Sequence, residues 1–276
     1  MTPPSSIVLI GAGRVGANLL RHCARLGLPV STVIEIDPAR HPLLRDAHPG
    51  VEVCSAFPSR LPDETQFCII AVEDRQIAVV ARELAEQTVF PSELTAFHCS
   101  GMLDSSVLTP LADLRCLVGS IHPMQSFSSD SLPAEALRGI GCGIEGNDDF
   151  WSEGQRFAEY MDWRPVRIDA GKKALYHIAN VFAGNFPTVL AALSETMLRE
   201  SAANPADAHL SHLLPMMRTV LDRLRDTPAA EVLTGPAARG DHDTILRHLD
   251  ALEAIDPQLR SVYESLTRAA LTMRQR

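Results

Sequence analysis

Residues 6–20, Ser6-Ile7-Val8-Leu9-Ile10-Gly11-Ala12-Gly13-Arg14-Val15-Gly16-Ala17-Asn18-Leu19-Leu20, constrain the chain more than any other stretch. A short apolar run enters three glycines at G-x-G-x-x-G spacing and leaves as an amphipathic pattern. That order spells a buried strand, a tight turn and a helix start. Gly11 permits the turn, Gly13 lets a pyrophosphate approach the backbone, and Gly16 lets the helix pack on the strand. The free N–H groups and positive end of the helix beginning near Arg14 and Val15 would receive the phosphates. A second strand, Val30 to Ile36, ends beside Asp37, which follows Gly16 by 21 positions. That is close to the offset of about 20 at which a carboxylate holds a ribose hydroxyl. Together these features predict dinucleotide binding, with Gly11, Gly13, Arg14, Val15, Gly16 and Asp37 at the cofactor. Asp37 favours NAD, and Arg40, close behind it, could meet the 2′-phosphate of NADP, so the cofactor is expected to be NADP or NAD.

Further short apolar runs follow at Val51–Cys54, Phe67–Val72, Leu94–His98, Leu117–Pro123, Ile140–Ile144 and Pro165–Ile168. They alternate with helical patterns, one opening at Glu73 and another spanning Asp149 to Met161. This is the signature of an α/β fold with a doubly wound, mostly parallel sheet. In such sheets ligands bind beyond the carboxyl ends of the strands. That rule selects Ala71 and Val72 as lining for the nicotinamide, Ser100 as a hydroxyl near the cofactor, and His122 and Gln125 as catalytic and substrate residues. His122 precedes a proline, which restricts it to extended conformations and stiffens its position. His98 also lies at a strand end but could point into the sheet.

After Asp169-Ala170-Gly171 the strand-like runs vanish. Lys172–Ser201, Ala206–Asp226, Asp243–Ala254 and Pro257–Arg274 read as helices, with kinks expected at Pro187 and Pro215. The expected organisation is a Rossmann dinucleotide-binding domain over residues 1–169 and an all-α substrate and dimerisation domain over 170–276. His177 and Asn180 are three apart, and Tyr176 and Asn180 four apart, so both pairs share a helix face. His177 and Asn180 are therefore further catalytic candidates. Leu233–Thr244 reads as a polar, glycine-rich turn leading to a helix N-terminus, where Arg239 could hold an anionic substrate, or where Asp241 or Asp243 could simply cap.

The net charge is −9, with 25 basic against 34 acidic residues. That argues against a nucleic-acid or anionic-membrane partner. No apolar run approaches the ~18 residues that span a bilayer, and the first apolar run leads into the glycine turn, so it reads as strand rather than signal peptide. The six cysteines form no C-x-x-C pair and read as buried thiols in a cytoplasmic protein; no metal-ligand spacing is present.

The segments Gly11–Gly16 (GAGRVG), Ile69–Ile77 (IIAVEDRQI), His98–Gly101 (HCSG), Gly119–Phe127 (GSIHPMQSF), Tyr176–Asn185 (YHIANVFAGN) and Leu233–Thr244 (LTGPAARGDHDT) carry a resemblance. In this order the chain resembles bacterial Rossmann-like oxidoreductases with a C-terminal helical domain of unknown function. That group is similar to proteins with 6-phosphogluconate-dehydrogenase-like helical domains, including pyrroline-5-carboxylate reductase, ketopantoate reductase and the β-hydroxyacid dehydrogenases. The resemblance implies a nicotinamide cofactor, a small-molecule substrate at the domain interface, and a homodimer built from the helical domains. The β-hydroxyacid and ketopantoate enzymes place a catalytic lysine one helical turn before an asparagine. Here Tyr176 and His177 stand at that distance from Asn180, and Lys172 and Lys173 lie too early by a turn or more. The expected function is an NAD(P)-dependent reductase or dehydrogenase acting on a small carbonyl, hydroxyl or imine. Its rivals are a nucleotide-binding sensor without turnover and a reductase using another hydride carrier, such as a deazaflavin.

Overall fold

Strand β1 (Ile7–Ile10) is buried along its whole length, which explains why its four residues are all apolar. It lies between β2 (Val30–Ile34) and β4 (Phe67–Ile70), both parallel to it. Beyond these come β3 (Glu52–Cys54), β5 (Thr95–His98), β6 (Leu117–Pro123), β7 (Gly141–Gly146) and β8 (Arg164–Arg167), in the sheet order β3-β2-β1-β4-β5-β6-β7-β8. Every neighbouring pair is parallel except β6 with β7. The expected doubly wound, mostly parallel sheet is present. The structure is a computed structural model and describes residues 3–274. Met1 and Thr2, at the head of the segment read as lacking a signal peptide, lie outside the described residues, as do Gln275 and Arg276.

The strand order runs outward in both directions from β1 and β4, so the crevice between their carboxyl ends is the switch point at which such sheets bind ligands. Helices α1 (Arg14–Arg25), α2 (His41–Ala47), α3 (Asp74–Gln87), α4 (Thr109–Ala112) and α5 (Asp148–Tyr160) accompany the sheet. Two apolar clusters result. One joins α1 and α5 through Leu19, Leu20, Phe150 and Phe157 to Phe67 and Phe97. The other joins α3 through Ile77, Ala81 and Leu84 to Ile34 and Ile70. Phe157 meets Phe67 and Phe97 edge-on, with centroids 5.1 and 4.8 Å away.

Strand β2 stops at Ile34, two residues before the expected end. Glu35 is drawn under the glycine turn, and Ile36 is left 81% exposed. The long helix expected from Lys172 is three pieces: α6 (Lys173–Asn180), one π-turn (Val181–Asn185) and α7 (Phe186–Ser201). Pro187 has no N–H for the carbonyl four residues back, and the wide turn just before it accommodates that loss. Phe186 N–H instead donates to Val181 O, five back. Where a kink was expected at Pro187, the structure has a π-turn just before it. Pro215 does not kink a helix: the expected Ala206–Asp226 helix begins only at α8 (Leu214–Arg223), where Pro215 occupies the first turn and needs no N–H partner. The remaining helices are α9 (Ala229–Val232), α10 (Gly235–Arg239), α11 (His242–Ile255, capped by Asp241) and α12 (Pro257–Arg274).

The chain divides into two compact units, Met1–Thr188 and Val189–Arg276. The first holds the sheet together with α6 and the π-turn, so the strand-to-helix change at residues 169–170 falls inside it. The second is all helical.

Candidate functional site

The glycine turn has the geometry the spacing predicts. Gly11 sits at φ +86°, and a Cβ there would come 2.8 Å from Val72 Cγ1. A Cβ on Gly16 would overlap the Gly11 carbonyl oxygen at 1.9 Å. Gly13 is different: a Cβ would meet nothing within 4 Å, so the space over it is open. Gly13 is the N-cap of α1, with no side-chain cap and no acidic residue in the first turn. An uncapped, unneutralised helix start beside an open glycine fits an anionic diphosphate. Arg14 is exposed and Val15 half-buried at the rim.

Under this turn the structure places Glu35, which the sequence reading passed over. Its buried carboxylate accepts from Ala12 N–H at 2.8 Å and Asp37 N–H at 3.0 Å. Asp37 itself is exposed and accepts from Ala39 N–H at 3.0 Å. Arg40 donates to Ala12 O at 2.7 Å and pairs with Asp130 at 3.3 Å. Ala71 is buried and Val72 half-buried, both packed against the glycine turn.

The strand ends beyond it build a second group. Ser100 is 5% exposed, and its hydroxyl donates to Asp74 Oδ2 at 2.8 Å while accepting from the Met102 and Leu103 amides. That hydroxyl is committed to the local turn. His98 points into the sheet region: it is fully buried, Nδ1 accepts from Ser100 N–H at 3.2 Å, and Nε2 lies 3.1 Å from Asp104 O. The donor-and-acceptor pair defines a neutral ring. Burial is the first cause holding its pKa down at about 4.

His122, next to last in β6, has its Nδ1 2.7 Å from the Tyr176 hydroxyl, the two rings perpendicular at 5.5 Å. Tyr176 reaches it from α6 because β7 carries no side chain at Gly143, where a Cβ would stand 2.5 Å from the tyrosine oxygen. Burial lowers the His122 pKa to about 4, with the Lys173 and His177 charges adding to it and Asp74 opposing. Burial raises that of Tyr176. A neutral imidazole beside an un-ionised phenol follows; the phenol lies 2.7 Å from Nδ1 and 3.3 Å from His122 O, and where it donates to Nδ1 the ring proton stands on Nε2. Nε2 faces Gly101: a Cβ on that glycine would lie 3.0 Å from His122 Nε2 and 3.0 Å from His177 Cδ2. Gly101 therefore keeps both histidine rings close.

A cavity of 800 Å³ runs from the start of α1 to the His122–Tyr176 pair; Asp37, Ala71, Val72 and Ser100 do not line it. Arg14 and Val15 line it from the glycine turn; His122, Gln125, Tyr176, His177 and Asn180 line it opposite. The Gln125 amide already donates to Ala136 O at 2.6 Å, and that of Asn180 to Tyr176 O at 2.9 Å. Arg239 belongs to the second unit, exposed at the end of α10. Lys173, set aside as too early in the helix, is 3% exposed and bonded to Ser100 O and Ser120 Oγ. The signal for Tyr176 was the glycine at alternate positions of β7, Gly141 and Gly143, which face Met124 and Tyr176. Among the described residues no group of His, Cys, Asp and Glu could hold a metal ion.

Residues 2–123 match the family model described as a Rossmann-like domain, and residues 140–270 match that of the domain of unknown function DUF2520. The chain joins a Rossmann-like domain to a DUF2520 domain. No curated protein matches it. Among solved structures it is similar to a "putative NADP oxidoreductase" from Bacteroides fragilis, at 22% identity and TM-score 0.75 over 97% of this chain and 98% of that one. A Thermotoga maritima protein matches at 24% identity and TM-score 0.71 over 98% and 100% of the two chains. An imine reductase variant from Myxococcus stipitatus in complex with NAD+ matches at 17% identity and TM-score 0.60 over 99% and 94%. At these identities the likeness is one of fold.

Proposed function

We propose that this chain is an NAD(P)-dependent oxidoreductase that moves a hydride to or from a small carbonyl, hydroxyl or imine substrate. The observation that carries the reading is one cavity with two poles. At one pole Arg14 and Val15 open helix α1, next to the uncapped turn at Gly13; at the other is the His122–Tyr176 pair. A bound nicotinamide would supply or accept the hydride. Everything else falls to side chains: aligning the substrate and managing one proton.

His122 is the residue for that proton. Its Nε2–H can donate to a carbonyl oxygen or imine nitrogen; as that proton leaves, Nδ1 takes the Tyr176 phenol proton, so the ring stays neutral and the phenolate recovers its proton from solvent. His177, across Gly101, and Asn180 are placed to orient the substrate, with Gln125 at the same wall. Arg239 is retained as an anion-binding candidate from the second unit. Glu35 joins the cofactor-binding set as the acid that braces the glycine turn, beside Asp37 and Arg40. Both NAD and NADP remain within the reading. Neighbours described as an NADP oxidoreductase and as a complex with NAD+ support a nicotinamide dinucleotide. Cytoplasmic location is part of the proposal, in keeping with six free thiols. So is a homodimer formed through the helical unit, whose apolar surface is taken up below.

Calorimetry with NADPH and NADH, followed by turnover on a panel of keto acids and cyclic imines, tests the reading. His122→Ala should lower kcat by roughly 10²-fold or more, the range of a general acid, while cofactor Kd stays put. Equal turnover in the variant removes His122 from the mechanism.

A further inference from the structure

We propose that Lys173 is a positioning residue for the His122–Tyr176 pair. Its ammonium, spanning Ser100 O and Ser120 Oγ, pins the helix that carries the tyrosine to the turn after β5 and to the middle of β6. The positive charge it fixes there keeps the histidine a neutral ring. The inference deepens the functional reading above and rests on it for the role of His122.

The geometry is specific. Lys173 Nζ donates to Ser100 O at 3.1 Å, just beyond β5, and to Ser120 Oγ at 2.7 Å in β6, two residues before His122. Ser120 passes the contact on, donating to Glu145 Oε2 of β7 at 3.2 Å. Glu145, 3% exposed, also accepts from Ser105 N–H and Oγ–H, each at 2.8 Å. Four elements are thus tied through one buried cation and one buried anion. The Lys173 nitrogen also sits 5.9 Å from the centre of the Tyr176 ring, on the helix turn below it.

A lone ammonium at 3% exposure is costly unless paired. Burial disfavours its charge, while Glu145, Asp104 and Asp74 favour it. Its two acceptors are protein atoms, so it acts through its neighbours and not on a ligand. The charged and titratable groups that bear on His122 are Lys173, His177 and His98, which disfavour a second ring proton, and Asp74, which favours it. Of these, Lys173 is the one held by fixed hydrogen bonds at the base of the helix that positions Tyr176. His98 turns both ring nitrogens to backbone partners.

The test is a titration of 15N-histidine-labelled protein followed by NMR, with His122 assigned by loss of its signals in His122→Asn. In the native protein His122 should stay neutral, proton on Nε2, down to about pH 5. In Lys173→Met its midpoint should rise by about one pH unit or more, the effect of removing a nearby like charge. Lys173→Arg should restore the native midpoint. Ser120→Ala loosens the network but keeps the charge, and should leave the midpoint in place. A native His122 titrating near 6.5 overturns the proposal, as does an unshifted midpoint in Lys173→Met. An equal shift in Ser120→Ala overturns it too, because mere loosening would then suffice. If Lys173→Met does not fold, Lys173→Gln carries the same comparison, and the native titration decides without either. Absence of NADPH and NADH binding would sink the oxidoreductase reading yet leave these titrations standing, so the two failures are separable.

Discussion

His98 and His122 sit near the carboxyl ends of adjacent strands and are both kept neutral, yet for different ends. His98 spends both ring nitrogens on the backbone; His122 spends one and keeps the other beside Gly101. Their folded pKa values, lowered to about 4, leave the unfolded chain binding more protons between pH 6.5 and 4. Stability is therefore full above pH 6.5 and is lost as pH falls toward 4. For the fully buried His98 the loss is about 3 kcal/mol at the low end. Urea melts at pH 7 and pH 4.5 should show it; equal midpoints would contradict the neutral assignment. Gly16 offers a second test at the same scale. A Cβ 1.9 Å from Gly11 O cannot be accommodated without moving α1 off β1. Gly16→Ala should cost about 2 kcal/mol or more, as overpacking does, and a thermal melt matching the native one would refute the packing described.

At the scale of elements, the strands were legible because burial on both faces leaves no choice but apolar residues, as in β1 and β4. The glycine turn was legible because each glycine answers a separate steric demand. The end of β2 was not: Ile36 reads as strand by composition, but the pull of Glu35 toward Ala12 N–H ends the ladder first. Tyr176 was legible only as a face-mate of Asn180, and Lys173 not at all, for another reason. Their roles depend on Gly143 and Ser120, which lie over thirty and over fifty positions away in sequence and become neighbours only through the sheet. The π-turn Val181–Asn185 lines the cavity and exists where Pro187 withholds an amide. Replacing Pro187 with Ala should let the backbone bond to Ala183 O form. Hydrogen exchange should then slow in Phe182–Thr188 relative to native protein; unchanged exchange would show that Pro187 does not set the turn.

The whole molecule presents a contrast between its units. The first has two dense cores. In Val189–Arg276, the described residues include only Ala191, Ala208, Val232, Ile245 and Leu249 as buried apolar side chains. Helix α8 leaves Met216, Val220 and Leu224 exposed at i, i+4 and i+8, with Leu221 63% exposed beside them; α12 does the same with Val262 and Leu266. So much uncovered apolar surface is what an obligate partner face looks like. The homodimer proposal places a second copy there. Light scattering should give about twice the 30.1 kDa chain mass, and Val220→Glu with Leu221→Glu should halve it. A native protein that runs as a monomer would contradict the proposal.

The central claim is that the open glycine turn receives a dinucleotide in the same cavity that holds His122. Calorimetric titration of NADPH and NADH into native protein and into Gly13→Val tests it most directly, with a melt beside each. Nothing lies within 4 Å of the new Cβ, so the melt should be unchanged. Affinity for the preferred nucleotide should fall about 10²-fold, or roughly 2.7 kcal/mol. Equal affinity in the variant, or no binding of either nucleotide by the native protein, would contradict the account.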